Sequence, residues 1–413
     1  MARKMRDSGV EWIGEVPEGW EMCRLKFIAD CFDGKRVPID ASQRRVGPYP
    51  YWGSGSIQDY VDDYIFDEEL VLLGEDGAPF FDKCRDVAFL VRGKIWVNNH
   101  IHVLKAKSRC ANQYLCYALN VVDYSDYVSG SILLKLTQGR MNEIVVPIPP
   151  LPEQRRIADY LDEKCAAIDG AVDELKRGIE DCKAWKKAII EETVFSGLRH
   201  KEFVETGDDW LISIPSSWGF EQIRYLFALR DERNDKPLSE VNLISLYTDQ
   251  GVVQHCDLEK TTGNKASTAD GYKIVKENDI VVNIILCWMG AVGRSAYNGV
   301  TSPAYDVYQP IDESRVLSRY YHYLFRTSRF NGKCYQEGRG IMMMRWRTYS
   351  SEFRAIKVPV PPMKEQQAIA DYLDEKCAAI DAMVTEKESL IADLEAYKKS
   401  LIYETVTGKR EVA

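Results

Sequence analysis

The residues with the most chemical potential in this sequence are two histidines one residue apart and several Gly-Lys and Asp-x-Lys combinations. His100 and His102 would place both imidazoles on one face of a strand, as a metal site requires. No third ligand is apparent, and with five histidines in the chain a structural or base-contacting pair is the better reading. The Gly-Lys pairs at Gly34, Gly93, Gly332 and Gly408 are followed by Arg36, Ile95, Cys334 and Arg410. None completes Gly-x-x-x-x-Gly-Lys-Ser/Thr, whose amides would cradle phosphate. Gly53-Ser-Gly-Ser56 starts like a dinucleotide loop but lacks the later glycine and a helical pattern after it, so it reads as a turn or ligand-facing loop. Asp162-Glu-Lys164 and its copy at Asp374 have nuclease-like spacing, yet both lie on a helical pattern where a solvated charged face is expected. Ile148-Pro-Pro-Leu151 and Val360-Pro-Pro-Met363 have the wrong neighbours for the amine-holding motif of amino-methyltransferases. With no assembled triad, metal cluster or phosphate loop, the sequence argues for a binding or scaffolding protein.

The composition is that of an ordinary soluble globular protein. Of 413 residues, 45% are hydrophobic and 28% charged, a length that suggests two or three domains. The formal net charge of -9, taken alone, argues against a general nucleic-acid or anionic-membrane binder. No secretory signal is expected at the start. The longest apolar run, Ile280 to Gly293, carries Asn283 and is too short to span a bilayer. A cytoplasmic protein without membrane partners is expected, with its eleven cysteines as reduced thiols.

The chain is a repeat. Ile157-Ala-Asp-Tyr-Leu-Asp-Glu-Lys-Cys-Ala-Ala-Ile-Asp169 recurs unchanged from Ile369 to Asp381. At the same offset Val146-Pro-Ile-Pro-Pro150 answers Val358-Pro-Val-Pro-Pro362, and Glu153-Gln154 answers Glu365-Gln366. A weaker match places Trp12, Pro17, Trp20, Leu25 and Lys26 against Trp210, Pro215, Trp218, Ile223 and Arg224. Between these frames, residues 30–140 and 228–350 show little resemblance. A duplicated frame with dissimilar contents suggests one kind of task performed on two different targets.

From Pro152 the pattern turns helical, proline being tolerated in a first turn. Leu161, Cys165, Ile168, Val172, Leu175 and Ile179 alternate steps of four and three, as do Leu373, Cys377, Ile380, Val384, Ile391 and Leu394; Lys186 and Lys387 interrupt. Heptad spacing over four or more repeats favours helix-to-helix pairing. The two seams are expected to run antiparallel as a coiled-coil spacer, ended by Gly197 and Gly408. The remaining segments read as mixed α/β: strand-like runs end at Gly74 and cover Val87 to Val103, Val241 to Tyr247 and Asn278 to Trp288, with short helices over Ala111 to Val121 and Val316 to Phe325. The expected fold is therefore α/β (α+β), an internal pseudo-twofold repeat with domains at 1–151 and 198–362 and long helices at 152–197 and 363–413. Asp62 to Asp76 reads as an acidic stretch facing solvent or another protein. From Arg315 to Lys357, by contrast, ten basic residues face two acids and are interleaved with aromatics, as phosphate neutralisation would require.

Over essentially its whole length the chain resembles the specificity (S) subunits of type I restriction-modification systems. The resemblance rests on Ser8-Gly-Val-Glu-Trp-Ile-Gly-Glu-Val-Pro-Glu-Gly-Trp20, on Val146-Pro-Ile-Pro-Pro-Leu-Pro-Glu-Gln154 with Ile157-Ala-Asp-Tyr-Leu-Asp, and on their second copies. Tyr49-Pro-Tyr-Trp-Gly-Ser-Gly-Ser-Ile-Gln-Asp-Tyr60, Gly74-Glu-Asp-Gly77 and Thr301-Ser-Pro-Ala-Tyr305 look like target-recognition phrases. The resemblance implies that each recognition domain binds half of an asymmetric bipartite site in double-stranded DNA, while paired helices set the gap and dock two methyltransferase subunits. It further implies no catalytic residues and no cofactor or metal in this chain. S-adenosylmethionine would be bound by the methyltransferases, and ATP and magnesium would be used by restriction-translocase subunits. Expected DNA contacts in the first domain are Trp52, Gly53, Ser54, Gly55, Ser56, Gly77, Ala78, Pro79, Phe80, Asn98, Asn99, His100, Lys135, Gln138 and Arg140. In the second they are Tyr247, Trp288, Ser302, Ala304, Tyr305, Arg339 and Arg345. Alternatives are a related combined restriction-methylation or phage-defence assembly, or a stand-alone methyltransferase or nuclease, which the missing motifs disfavour.

Overall fold

The structure, a computed structural model, describes residues 3–82, 85–130, 133–199, 202–248, 250–255, 268–340 and 346–412. It divides into two compact units, Met1–Arg177 with Glu386–Ala413, and Gly178–Thr385. The expected mixture of strands and helices is present. No helix among the described residues is long and apolar enough to cross a membrane.

In unit 1 the repeated frame forms a joint of its own. Strand Glu21–Arg24 pairs antiparallel with Val145–Ile148. The chain then enters a four-stranded sheet in the order Ala29–Cys31, Ile101–Ala106, Leu70–Gly74, Ala88–Val91. The central strand Leu70–Gly74 is buried throughout, and successive side chains of a strand point to opposite faces. Leu70 and Leu72 enter one core with Phe66, Ile95 and Val103. Val71 and Leu73 enter another with Leu104, Leu115 and Leu161. A strand covered on both faces must be apolar without alternation, which explains the unbroken run ending at Gly74. A second sheet, in the order Ile57–Val61, Val46–Trp52, Lys94–Val97, Phe66–Asp67, completes the unit.

Unit 2 repeats this plan on different residues. Gly219–Gln222 pairs with Lys357–Val360, and the sheet order is Phe227–Leu229, Tyr305–Pro310, Ile280–Asn283, Val292–Arg294. Ile280 and Val282 face one core, Val281 and Val307 the other. The strand expected to reach Trp288 stops at Asn283, because the Asn283 side-chain oxygen accepts from the amides of Ile285 (3.0 Å) and Leu286 (3.4 Å) and turns the chain. Trp288 therefore lies in a short 3-10 turn, Cys287–Met289. The apolar run that follows is the next strand of the sheet.

The long helices span Leu151–Ser196 and Met363–Val406, each roughly 65–70 Å at about 1.5 Å per residue. Gly197 and Gly408 follow their ends at φ 75° and 74°, the left-handed conformation that glycine adopts at low cost. Leu161, Cys165, Ile168, Val172, Ile179, Leu373, Cys377 and Ile380 are buried; Leu175, Val384, Ile391 and Leu394 are half-buried. In unit 1, Leu401, Ile402 and Val406 join Ile157, Leu161 and Cys165 in one core, and Lys398 Nζ lies 2.7 Å from the Asp169 carboxylate. In unit 2, Lys186 Nζ lies 2.6 Å from Asp381. Lys186 and Lys398 occupy equivalent places in the repeat, as do Asp169 and Asp381. Lys186, which breaks the first apolar seam, thus supplies a cross-helix ion pair.

Two side chains at each helix start fasten the frame. Gln154 is fully buried: its oxygen accepts from the Ala111 amide (2.9 Å), and its nitrogen donates to Arg109 O (2.9 Å) and Pro149 O (2.8 Å). Gln366 repeats this with the Leu317 amide, Arg315 O and Pro361 O at 2.9, 2.9 and 2.8 Å. The Trp20 and Trp218 indoles donate to Glu153 (3.2 Å) and Glu365 (3.0 Å). The nuclease-like aspartates are likewise structural, Asp162 accepting from Tyr117 (2.6 Å) and Asp374 from Tyr323 (2.5 Å). Because truncation leaves a buried donor and two acceptors without partners, Gln154→Ala and Gln366→Ala should each destabilise their unit by about 2–4 kcal/mol. Urea titrations of the full chain read this out, and a loss below about 0.5 kcal/mol for either would remove the clamp from the account.

Candidate nucleic-acid interface

In unit 1 the four expected loop segments converge. Gly53 N–H donates to Ser56 O (2.9 Å) and Asn98 N–H to Trp52 O (3.1 Å). The Asn98 carboxamide donates to Gln58 (3.4 Å) and accepts from the His100 amide (2.8 Å). Glu75 N–H donates to His100 O (3.1 Å), Gly77 N–H to Leu134 O (2.8 Å) and Leu136 N–H to Glu75 O (2.8 Å). Gly77 has φ 66°, and Gly74 is pressed so closely on Ala78 and Ser54 O that a Cβ would come within 2.3 and 2.8 Å of them. Ser56, Gly77, Asn99, His100, Lys135, Gln138 and Arg140 are exposed, and Ser54, Gly55 and Pro79 partly so. Ala78 and Phe80 are buried, Phe80 against Tyr124, so these two support the loop from beneath rather than offering side chains to a ligand. Gly53 and Asn98 are buried too and act through the loop hydrogen bonds. Trp52 is half-buried against Phe89, its indole N–H without a protein partner.

An ionic network underlies this face. The fully buried His102 has Nδ1 2.6 Å from Asp33 and Nε2 2.8 Å from Leu136 O. Arg36 donates to Glu75 (2.5 Å) and lies 3.4 Å from Asp33. Lys135 Nζ is 3.0 Å from Asp76, and His100 Nδ1 3.1 Å. Burial pushes the Asp33 carboxyl up, but the hydrogen bond and charge of His102, the Val103 amide and Arg36 outweigh it and hold the group below its ordinary value. Glu75 and Asp76 therefore turn to cations of their own unit, which corrects the expectation that the whole of Asp62 to Asp76 faces solvent or another protein. The sequence also hid two potential ligands beside His102: Asp33, Glu75 and His102 present atoms within 4.8 Å of one another. The Arg36 guanidinium occupies the cation position there, and both His102 nitrogens are engaged, so the cluster is an ion-pair joint.

In unit 2 the expected residues gather at the same end of the sheet. Tyr305 lies opposite Asn283 in the strand register, after a tight turn in which its amide donates to Ser302 O (3.0 Å) and the Ala304 amide to Ser302 Oγ (3.3 Å). Tyr247 is exposed at the end of the hairpin Ile244–Tyr247/Gly251–Gln254. Trp288 donates to Ile285 O (3.0 Å) and packs on Tyr335 (5.5 Å between centroids), which stacks on Trp346 (5.0 Å, 24°). Exposed Arg339 pairs with Glu352 (2.9 Å) and lies over Tyr349 (5.2 Å). Arg345 lies outside the described residues. Thr348 N–H donates to Ile284 O (2.9 Å), as Leu136 N–H does to Glu75 O; in both units the residue after the central strand receives the amide of the late loop. What stands there differs: Glu75 and Lys135 in one unit, Ile284 and Arg347 in the other.

A sequence profile described as "Type I restriction modification DNA specificity domain" matches residues 17–173 and 217–391, once in each half. The chain belongs to this type I specificity family. A Haemophilus influenzae chain named as a type I restriction enzyme specificity subunit is 26% identical over 362 residues, covering 85% of this specificity chain and 86% of the relative. The EcoDI specificity subunit of Escherichia coli is 21% identical, covering 96% and 90%. Among solved structures, a chain from work on complex assembly and conformational transition of the type I system has a TM-score of 0.68 at 15% identity, covering 96% and 99%. The HsdS subunit of Thermoanaerobacter tengcongensis has a TM-score of 0.52 at 14% identity, covering 96% and 98%. At these identities the structural likeness supports the fold.

Sequence reasoning missed Asp33, Arg36, Glu75, Tyr335 and Trp346 in this specificity chain. The first three are scattered polar residues whose meeting depends on sheet register; the aromatics were legible only as part of a basic, aromatic-rich stretch. Behind the unit 2 hairpin, His322 Nδ1 accepts from the Arg294 amide (3.1 Å). Removal from water, with the charges of Arg326 and Arg294, lowers its pKa from 6.5 to about 3. The unfolded chain takes up this proton below pH 6.5 and the folded chain does not until about 3, so stability is lost progressively as pH falls through that window. His322→Gln should flatten this acid-side slope in urea titrations run from pH 7.5 to 4.5; an unaltered slope would dismiss His322 as its source.

Proposed function

We propose that this specificity chain reads an asymmetric bipartite site in double-stranded DNA, each unit binding one half through its loop cluster. The observation that carries the reading is the duplicated frame with two chemically unlike recognition faces: an equal mount with different contents suits two different half-sites. In this reading the functional division follows 1–151 and 198–362 for recognition, and 152–197 and 363–413 for the helices. The helices act as an antiparallel coiled-coil spacer, supported by the ion pairs Asp169–Lys398 and Lys186–Asp381. They fix the number of unread base pairs between the halves.

The same duplication supports two copies of one protein partner, the methyltransferase subunits. Phe27 and Tyr225, at matched positions after the frame strands, are each 61% exposed, and the matched Trp185 and Tyr397 on the long helices are 50% and 49% exposed. Exposed aromatics of this kind are common anchors of protein interfaces. Restriction-translocase subunits join the assembly. The chain itself is non-catalytic and works in the cytoplasm, with S-adenosylmethionine bound by the methyltransferases and ATP and magnesium used by the translocases. The acidic total charge fits a chain that shares phosphate neutralisation with its partners.

Four residues inserted between Asp169 and Ala188 should lengthen the methylated site's gap while both half-sites keep their sequence. Methylome sequencing of a host expressing the variant with its methyltransferase reads this out, and an unchanged gap would sink the spacer role. Phe27→Asp combined with Tyr225→Asp should reduce co-purification of the methyltransferase at least tenfold, and either single variant should leave about one copy bound. Undiminished two-copy assembly in the double variant would rule these anchors out.

A further inference from the structure

The two recognition faces differ in chemistry at equivalent places in the fold. Beyond the Glu75–Leu136 joint of unit 1 stand Asp76, His100 and Lys135, linked by hydrogen bonds. Beyond the Ile284–Thr348 joint of unit 2 stands a turn whose outward side chains are apolar: Leu286 is 37% exposed and Met289 50%. Behind it the Trp288–Tyr335–Trp346 ladder is held rigidly. Trp288 donates to Ile285 O, Trp346 donates to Tyr335 O (3.0 Å), and Gly338 sits so close to Trp346 that a Cβ would approach its indole nitrogen to 2.4 Å. Both indole N–H groups are spent on backbone carbonyls, so the tryptophans keep no donor for a base edge. The outward side chains of the turn itself, Leu286 and Met289, offer DNA neither a donor nor an acceptor. The one sequence-specific apolar feature of the major groove is the C5-methyl group of thymine.

Resting on the reading of unit 2 as a half-site reader, we propose that Leu286 and Met289 recognise that half-site by apolar contact with thymine methyl groups, with the Trp288–Tyr335–Trp346 ladder as positioning support. DNA is preferred over an apolar protein partner as occupant on two grounds. Arg315, Arg319, Arg329 and Lys333 are paired with acids in the folded chain, but Arg339, whose side chain is 69% exposed, and Arg347 flank the ladder and bring charge that complements phosphate. A partner docking on both units would also meet the same chemistry in each, whereas the equivalent place in unit 1 is an ionic network.

The test uses the full chain assembled with its methyltransferase subunits and duplexes carrying the methylated site, with deoxyuridine replacing thymidine one position at a time in either half. Losing one contacted methyl should weaken binding about three- to fivefold at one or more positions of one half, with changes under about twofold in the other. In the Leu286→Ser, Met289→Ser double variant, thymidine and deoxyuridine duplexes should bind alike. A half-site pair in which deoxyuridine has no effect overturns the proposal, as does an effect that persists in the double variant. Loss of methyltransferase from the double variant would assign the face to a protein partner instead. Failure of the wild-type assembly to bind any specific duplex would overturn the half-site reading itself, a distinct result.

Discussion

Everything variable in this protein hangs from a buried carboxamide. Gln154 and Gln366 each bring together three backbone groups from two segments: the Pro-Pro turn that starts a long helix, and two residues of the chain just before a short helix. A buried amide that meets its full demand is stable only in one geometry, so the angle between long helix and globular body is set at that point. Tyr114 and Tyr320 extend the fastening: their hydroxyls donate to Val406 O and Val194 O, near the far end of the other long helix. Each body is thus tied to the beginning of one helix and the end of the other by groups the repeat preserves.

On this mount the two units use one sheet order with different side chains. The central strand of each is covered on both faces, and the candidate contact loops begin immediately beyond its last residue. The joint there is the same backbone hydrogen bond in both units, yet an acid-base network surrounds it in one and an aromatic ladder in the other.

The frame was largely legible in the sequence because its constraints are local or repeated. Heptad spacing, proline turns and glycine stops are written within a few residues, and the identical segment beginning at Ile157 and Ile369 announces the duplication. The convergence of Trp52–Ser56, Gly77–Phe80, Asn98–His100 and Lys135–Arg140 was anticipated only as a set of loops. The contacts among them come from strand register, which single-sequence patterning does not fix. The same limit explains why Ala78 and Phe80 looked available for contact, and why Glu75 looked solvent-facing before its pairing with Arg36 was visible. Asn283 misled for a different reason: an apolar run continued past it, while its side chain had already closed a turn.

The doubly covered strands bear on how new specificities arise. Mutation at any apolar position of Leu70–Gly74 or Ile280–Asn283 disturbs the core on its own face, so neither face of the strand is free to vary, whereas the next residue outward, Glu75 or Ile284, belongs to neither core. Substitutional freedom therefore rises beyond the strand end, once past the Glu75–Arg36 pair of unit 1, where the candidate contact residues begin. On the half-site reading, a lineage could exchange one set of readers for another without repacking the interior of either unit.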